Sequence, residues 1–363
     1  MPIVKEGGAV LIVLLVLSFV LSTFSLPLVS ATEDSWTTME PMPTARNGCG
    51  VAVVDGKIYA IGGSNGSLLG TNEMYDPVTD TWTTKTPMPT PRIGFGIAVY
   101  QNKIYVIGGQ IGLLPQAVTG ANEVYDPSTD TWESKTGIPE ARNGFRANVV
   151  NDKIYLISGF GTPFTPYPNS DETLVYDPAN DSWTTKASIP TPVHWYASEV
   201  VDNKIYIIGG RDFSLNIIYN LTQIYDTETD TWSSGASIPT NISLGAAGAT
   251  TGAMAPTRIY VIGGFTSFDY EAISLNYVYD SEGDVWSMGT SMLTPRYSLG
   301  VAVVNDTLYA IGGKSGDNYL AVNEKYTPVG YIPEFPSWII LPLFLVATLA
   351  VIMCKKKIRS LSA

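Results

Sequence analysis

Four arginines, Arg46, Arg92, Arg142 and Arg296, recur at intervals near 50 residues or a multiple of it, and each directly follows Ala or Pro. A guanidinium offers a planar fork of donors that fits a carboxylate, so four of them gathered at one place would grip an anion. Their neighbours point to another use. Segments with the Arg also carry Glu73, Glu123 or Glu324 two residues before a recurring Tyr, whereas segments with Val193 or Ile242 instead have Gln223 or Tyr277 there. Arg and Glu appear and vanish together, which predicts structural Arg–Glu pairs. In the third segment Leu174 fills the Glu position and Glu172 is displaced. Arg142, with Arg211 in a later loop, is then left to bind an anionic ligand.

Other chemistry is thinly provided for. His194 is the sole histidine, and Cys49 and Cys354 lie at opposite ends of the 363 residues. No multi-histidine metal centre, zinc cluster or disulfide framework can be assembled from these, and no cofactor is expected. No Ser-His-Asp order or phosphate loop occurs. The net charge is −12, and residues 32 to 334 hold 16 Lys and Arg against 32 Asp and Glu, a balance that disfavours nucleic acid. Five Asn-x-Ser/Thr sequons, at Asn65, Asn180, Asn220, Asn241 and Asn305, are compatible with an exposed surface. What remains is aromatic. Phe160, Phe164 and Tyr167 share one loop, Phe213 and Phe265 lead two others, Trp195 adjoins His194, and Lys314 follows the last glycine pair.

These residues must be positioned by a repeat. Apolar runs end in Gly62-Gly63, Gly108-Gly109, Gly209-Gly210, Gly263-Gly264 and Gly312-Gly313, with Ser158-Gly159 as the third copy. A Tyr follows each, at Tyr75, Tyr125, Tyr176, Tyr225, Tyr279 and Tyr326, and in five copies a Trp stands seven residues further on. Runs such as Lys57-Ile58-Tyr59-Ala60-Ile61 are short buried strands, and Tyr75-Asp76-Pro77-Val78-Thr79-Asp80-Thr81-Trp82 reads as a hairpin. The pattern, from Trp36 to Tyr326, resembles the kelch repeat. The resemblance implies an all-β fold, a six-bladed kelch-type propeller over residues 32–328. The sixth copy lacks its Trp while Trp36 lacks a preceding Tyr, so the N-terminal strand is expected to complete the last blade and close the ring.

The ring's two ends differ. Turns joining strands one to two and three to four repeat closely, except that Thr250 to Thr257 lengthens one turn in blade five. Loops joining strands two to three vary in length and are aromatic-rich, the usual setting for ligand binding, although loops of this kind can also merely cover the end of a ring. The resemblance extends to enzymes. Galactose oxidase is a kelch-type enzyme whose copper site needs two His and a Cys-linked Tyr, which this chain lacks. Kelch-fold mutarotases and epimerases acting on sialic-acid-like sugars need only acids, arginines and one His, and there His194 would be the acid or base with Glu199 or Glu172 as partner. The leading expectation is a non-catalytic binding or adhesion module for an extracellular protein or glycan. The carbohydrate-modifying enzyme is the alternative.

The ends are expected to target the protein. An apolar run after Lys5 leads to Val29-Ser30-Ala31, which reads as a signal peptide over residues 1–31. Residues 329–337 form a stem whose Pro333-Glu334-Phe335-Pro336-Ser337 resembles the Pro-Glu-Phe sorting signals of archaeal surface proteins. Residues 338–354 are uncharged and precede a basic tail at 355–363, the pattern of a transmembrane helix with a cytoplasmic C-terminus. The propeller is thereby expected at the cell surface, exported on a single-pass anchor.

Overall fold

In the computed structural model the residues described are 32–112, 117–161 and 169–332. Each repeat forms one four-stranded antiparallel sheet. Blade one pairs Gly50–Val54, Lys57–Ile61, Asn72–Asp76 and Thr81–Lys85 in that order. Blades two to five repeat the order over residues 96–135, 147–186, 197–235 and 246–288. The sixth begins with Gly300–Val304, Thr307–Ile311 and Asn323–Thr327, and takes its outer strand, Ser35–Met39, from the other end of the chain with Trp36 opposite Tyr326. The six inner strands neighbour one another in a closed circle around an axial channel. Burial follows the sequence pattern. The continuous apolar second strands are covered on both faces, with Ile58, Ala60 and Ile61 fully buried, whereas outer strands such as Thr81–Lys85 expose most of their side chains.

Neighbouring blades are stapled by one device used six times. The Tyr hydroxyl donates to an Asp in its own blade's hairpin, at 2.5 to 2.6 Å, in the pairs Tyr75–Asp80, Tyr125–Asp130, Tyr176–Asp181, Tyr225–Asp230 and Tyr279–Asp284. The same Asp oxygen accepts a backbone N–H from the segment leaving the preceding blade, as Asp130 does from Thr86 at 2.9 Å. The Trp indole then donates to that segment's carbonyl, as Trp132 does to Thr86. In blade six the set is Tyr326, Asp34, Trp36 and Thr290, assembled from both ends of the chain. Two aromatic residues and a turn acid thus satisfy each other and the adjoining backbone, while the rings fill the space between sheets.

The glycine pairs shape the end where strands two and three connect, hereafter the loop end. Gly63 has φ +98° and a Cβ there would lie 2.6 Å from the Asn47 carbonyl, so only glycine lets the chain turn back so close to its neighbour. The opposite, turn end carries the long blade-five turn. Asp306 accepts four hydrogen bonds from it, from the Thr251 amide and hydroxyl on one oxygen and from the Met254 and Ala255 amides on the other. The Met254 carbonyl in turn holds the Ile332 amide at 2.7 Å, and the Gly330 amide donates to Glu33 at 2.8 Å, so chain entrance and exit meet at this end. The expected signal peptide, transmembrane helix, basic tail and stem from residue 333 on lie outside the described residues. Among the described residues no helix is long and apolar enough to cross a membrane.

Candidate functional site

The residue after each glycine pair makes an antiparallel bridge to the residue after each Arg-equivalent position. The pairs are Asn47/Ser64, Ile93/Gln110, Asn143/Phe160, His194/Arg211, Ser243/Phe265 and Tyr297/Lys314. Repeat geometry therefore lays a ring of twelve side chains on the floor of the loop end. Blades three to five make an aromatic half and blades six, one and two a polar half.

In the aromatic half His194 is 1% exposed and fixed in one tautomer. The Asn169 amide nitrogen donates to the Pro192 and Arg211 carbonyls, which leaves its oxygen to accept from His194 Nδ1 at 2.7 Å. His194 Nε2 accepts from Arg211 Nε at 3.3 Å. Burial, reinforced by the Arg211 charge, pushes the imidazole pKa well below its usual value, so the ring is neutral with both nitrogens engaged. The expectation of His194 as an acid or base beside Glu199 or Glu172 is corrected, because its partners are an amide and a guanidinium. Arg211 is 5% exposed and, among the described residues, has no carboxylate partner. Its guanidinium lies 4.1 Å from the Phe213 ring centroid, 5.4 Å from Phe265 and 5.6 Å from Tyr270. Of these rings Phe213 and Tyr270 are exposed, and Leu215 and Ile217 are exposed elsewhere on the Arg211 hairpin. Phe160 packs edge-on against His194 at 4.7 Å. Beside it the fully buried Asn143 amide makes no hydrogen bond from either atom among the described residues. Phe164 and Tyr167 lie outside the described residues.

The arginines that recur with Glu are occupied. Arg46 bonds Glu73 at 2.6 Å, Arg296 bonds Glu324 at 2.8 Å, and Arg92 bonds Glu123. Each guanidinium also reaches a second-strand carbonyl, Ala60, Ala310 or Val106, at 2.8 to 2.9 Å. The second oxygen of each Glu accepts the hydroxyl of Thr44, Thr294 or Thr90. In blade four, which has no Arg, Gln223 bonds the Thr191 backbone from both amide atoms instead. Arg142, expected to be free for a ligand, is paired with Glu172 and bonded to Ser170. The displaced Glu172 sits just before its strand and reaches the guanidinium from the loop. In the polar half Lys314 Nζ rests 5.2 Å from the Tyr319 ring centroid.

A second concavity is the axial channel, a cavity of about 380 Å³. Arg146 occupies the position of Gly50, Gly96, Ala197, Ala246 and Gly300, and Asn148 and Glu199 that of Ala52, Ala98, Gly248 and Ala302. Arg146 reaches across to the carbonyls of Tyr196 and Gly245, both at 3.4 Å, and meets no carboxylate among the described residues. Among the described residues Glu199 has no cation paired with it, and burial raises its pKa to about 7. Trp195 lies across the channel mouth, so close to Gly94 that a Cβ there would come within 2.6 Å of the indole. Arg146 and Asn148 were not among the expected site residues. Aligning the six first strands column by column would have exposed them as the bulky polar members of small-residue columns. Among the described residues no group of three or more His, Cys, Asp or Glu is placed to hold a metal.

Comparison with known proteins agrees with this architecture. The Kelch motif model matches residues 45–89 and 91–136, and the Attractin/LZTR1 beta-propeller model matches residues 118–328. Kelch-like protein 23 of Mus musculus is 32% identical over 79 residues, 20% of this chain and 14% of that protein. Spermatocyte protein spe-26 of Caenorhabditis elegans is 30% identical over 162 residues, 43% of this chain and 28% of that protein. The chain therefore spans under a third of these curated relatives. A solved structure described as "Structure of YjhT" superposes with a TM-score of 0.68 at 16% identity, over 80% of this chain and 96% of its own, a likeness of fold. With one family model matching more than half of its residues and the six stapled blades in place, the chain belongs to the Attractin/LZTR1 beta-propeller family of kelch-repeat proteins.

Proposed function

We propose that the protein is a non-catalytic binding or adhesion module, exported and anchored at the cell surface by its C-terminal segment, that takes a protein ligand at its loop end. The reading is carried by Arg211, an almost fully buried cation with no acid beside it among the described residues, flanked by the exposed rings of Phe213 and Tyr270 on a hairpin that also exposes Leu215 and Ile217. Aromatic residues and Arg concentrate at the energetic centres of interfaces, and here the uncompensated charge asks for an acidic group set among apolar side chains. Screening the ectodomain against surface extracts and glycans should reveal a saturable ligand. Arg211→Met, or Phe213→Ala with Leu215→Ala, should weaken it at least about tenfold, equivalent to roughly 1.4 kcal/mol. Undiminished binding in both variants would refute the assignment.

A carbohydrate-modifying enzyme is a second reading, favoured by one observation, Glu199 in the channel, without an ion pair among the described residues and with a pKa near 7, and Arg146 at the same cavity. A carboxyl with that pKa suits proton transfer at neutral pH, and a guanidinium suits a sugar carboxylate. This reading predicts that anomer interconversion of a sialic-acid-like sugar, followed by NMR, titrates near pH 7 and disappears in Glu199→Gln while His194→Ala retains it. Absence of turnover across pH 5 to 9 would leave the binding module alone.

A further inference from the structure

The polar half of the loop-end ring encloses a cavity of about 540 Å³ between blades six, one and two, a volume typical of small-ligand sites. Asn47, Ser64, Ser67, Gln110, Lys314 and Tyr319 supply its polar side chains. Among the described residues no acid lines it, on a chain of net charge −12. Among the described residues Lys314 has no ion pair, and neither the Asn47 amide nor the Tyr319 hydroxyl has a side-chain hydrogen bond. Gln110 uses its nitrogen on the Gly112 carbonyl, and its oxygen has no partner among the described residues. The backbone beneath is already spent. Asn47 with Ser64, Ile93 with Gln110 and Tyr297 with Lys314 exchange both N–H···O bonds, so no strand edge is left to recruit an extended peptide. A ligand here is read by side-chain amides, hydroxyls and one ammonium.

We infer that this cavity binds an acidic saccharide. The carboxylate meets Lys314 Nζ, ring hydroxyls bond Asn47, Ser64 and Gln110, and the apolar face of the sugar lies against Tyr319. The inference rests on the loop end being a binding surface, but it uses none of the residues of the Arg211 patch.

The test is titration of the full chain with glucuronate, glucose and a short oligoglutamate, read by saturation-transfer NMR. Glucuronate should bind about tenfold more tightly than glucose, as expected for one charge-assisted hydrogen bond. Lys314→Met should abolish that preference, Tyr319→Ala should weaken both sugars, and Val78→Ser, at an exposed turn of the opposite end, should change neither. Equal binding of glucuronate and glucose, a preference that survives Lys314→Met, or oligoglutamate binding through Lys314 with glucuronate excluded would each overturn it. If glucuronate fails while an Arg211-dependent ligand is found, only this inference falls. If neither half of the ring binds anything, the loop-end reading falls with it.

Discussion

Glu123 divides its oxygens between the Arg92 guanidinium and the Thr90 hydroxyl, with its side chain only 7% exposed. Removing it would leave a buried guanidinium with only carbonyl partners, and breaking such a pair from one side typically costs about 3–5 kcal/mol. Glu123→Ala should lose that much in a denaturant melt. Glu172→Ala should lose nearer 1 kcal/mol, because that side chain is 35% exposed and water can take its place. Equal losses would show that the two pairs do the same work. The residue scale also shows where reading the chain alone stops. In blades one, two and six the Glu keeps its strand register, so its co-occurrence with Arg reveals the pair. In blade three Glu172 has slipped out of the strand, and only the path of the loop returns it to Arg142. His194 looked available as the lone histidine, yet the bridge that every blade repeats sets Arg211 against it, and Asn169 arrives from a loop whose length no other blade repeats.

Strands, glycine pairs and hairpin acids are legible because each blade must bury itself against near-copies of itself, which forces the same chemistry into every copy. Elements that occur once escape that logic. The long blade-five turn is visible as extra length, but its purpose depends on Asp306, some 50 residues downstream, which gathers four hydrogen bonds and turns the insertion into a clasp on the outgoing chain. Asp306→Asn keeps one acceptor oxygen and sets an amide NH₂ against the Met254 or Ala255 amide. The clasp should loosen locally, with exchange of the Ile332 amide rising at least about tenfold while Tyr260 and Ile262 in the adjoining strand stay protected. Unchanged exchange at Ile332 would mean that the outgoing chain is held independently of Asp306.

Across the whole molecule, stability depends on a ring with no open edge, and its seam is the pairing of Ser35–Met39 with Asn323–Thr327. Deleting residues 32–40 removes that strand, the buried Trp36, and the Asp34 acceptor used by the Tyr326 hydroxyl and the Thr290 amide. Blade six would then present an unpaired strand and a gap beside blade five. The melting temperature should fall by roughly 10 °C or more, given about 2–4 °C per kcal/mol in large domains. A circular permutant separates lost contacts from lost closure. Joining residue 332 to residue 33 through a short linker exploits the contact of Gly330 with Glu33, and the new termini can open in the exposed turn near Leu215. That chain keeps all six staples and should melt close to the parent, whereas the truncated chain should not. If the permutant fell as far as the truncation, continuity of the chain around the loop end, rather than the seam, would be what holds the ring together.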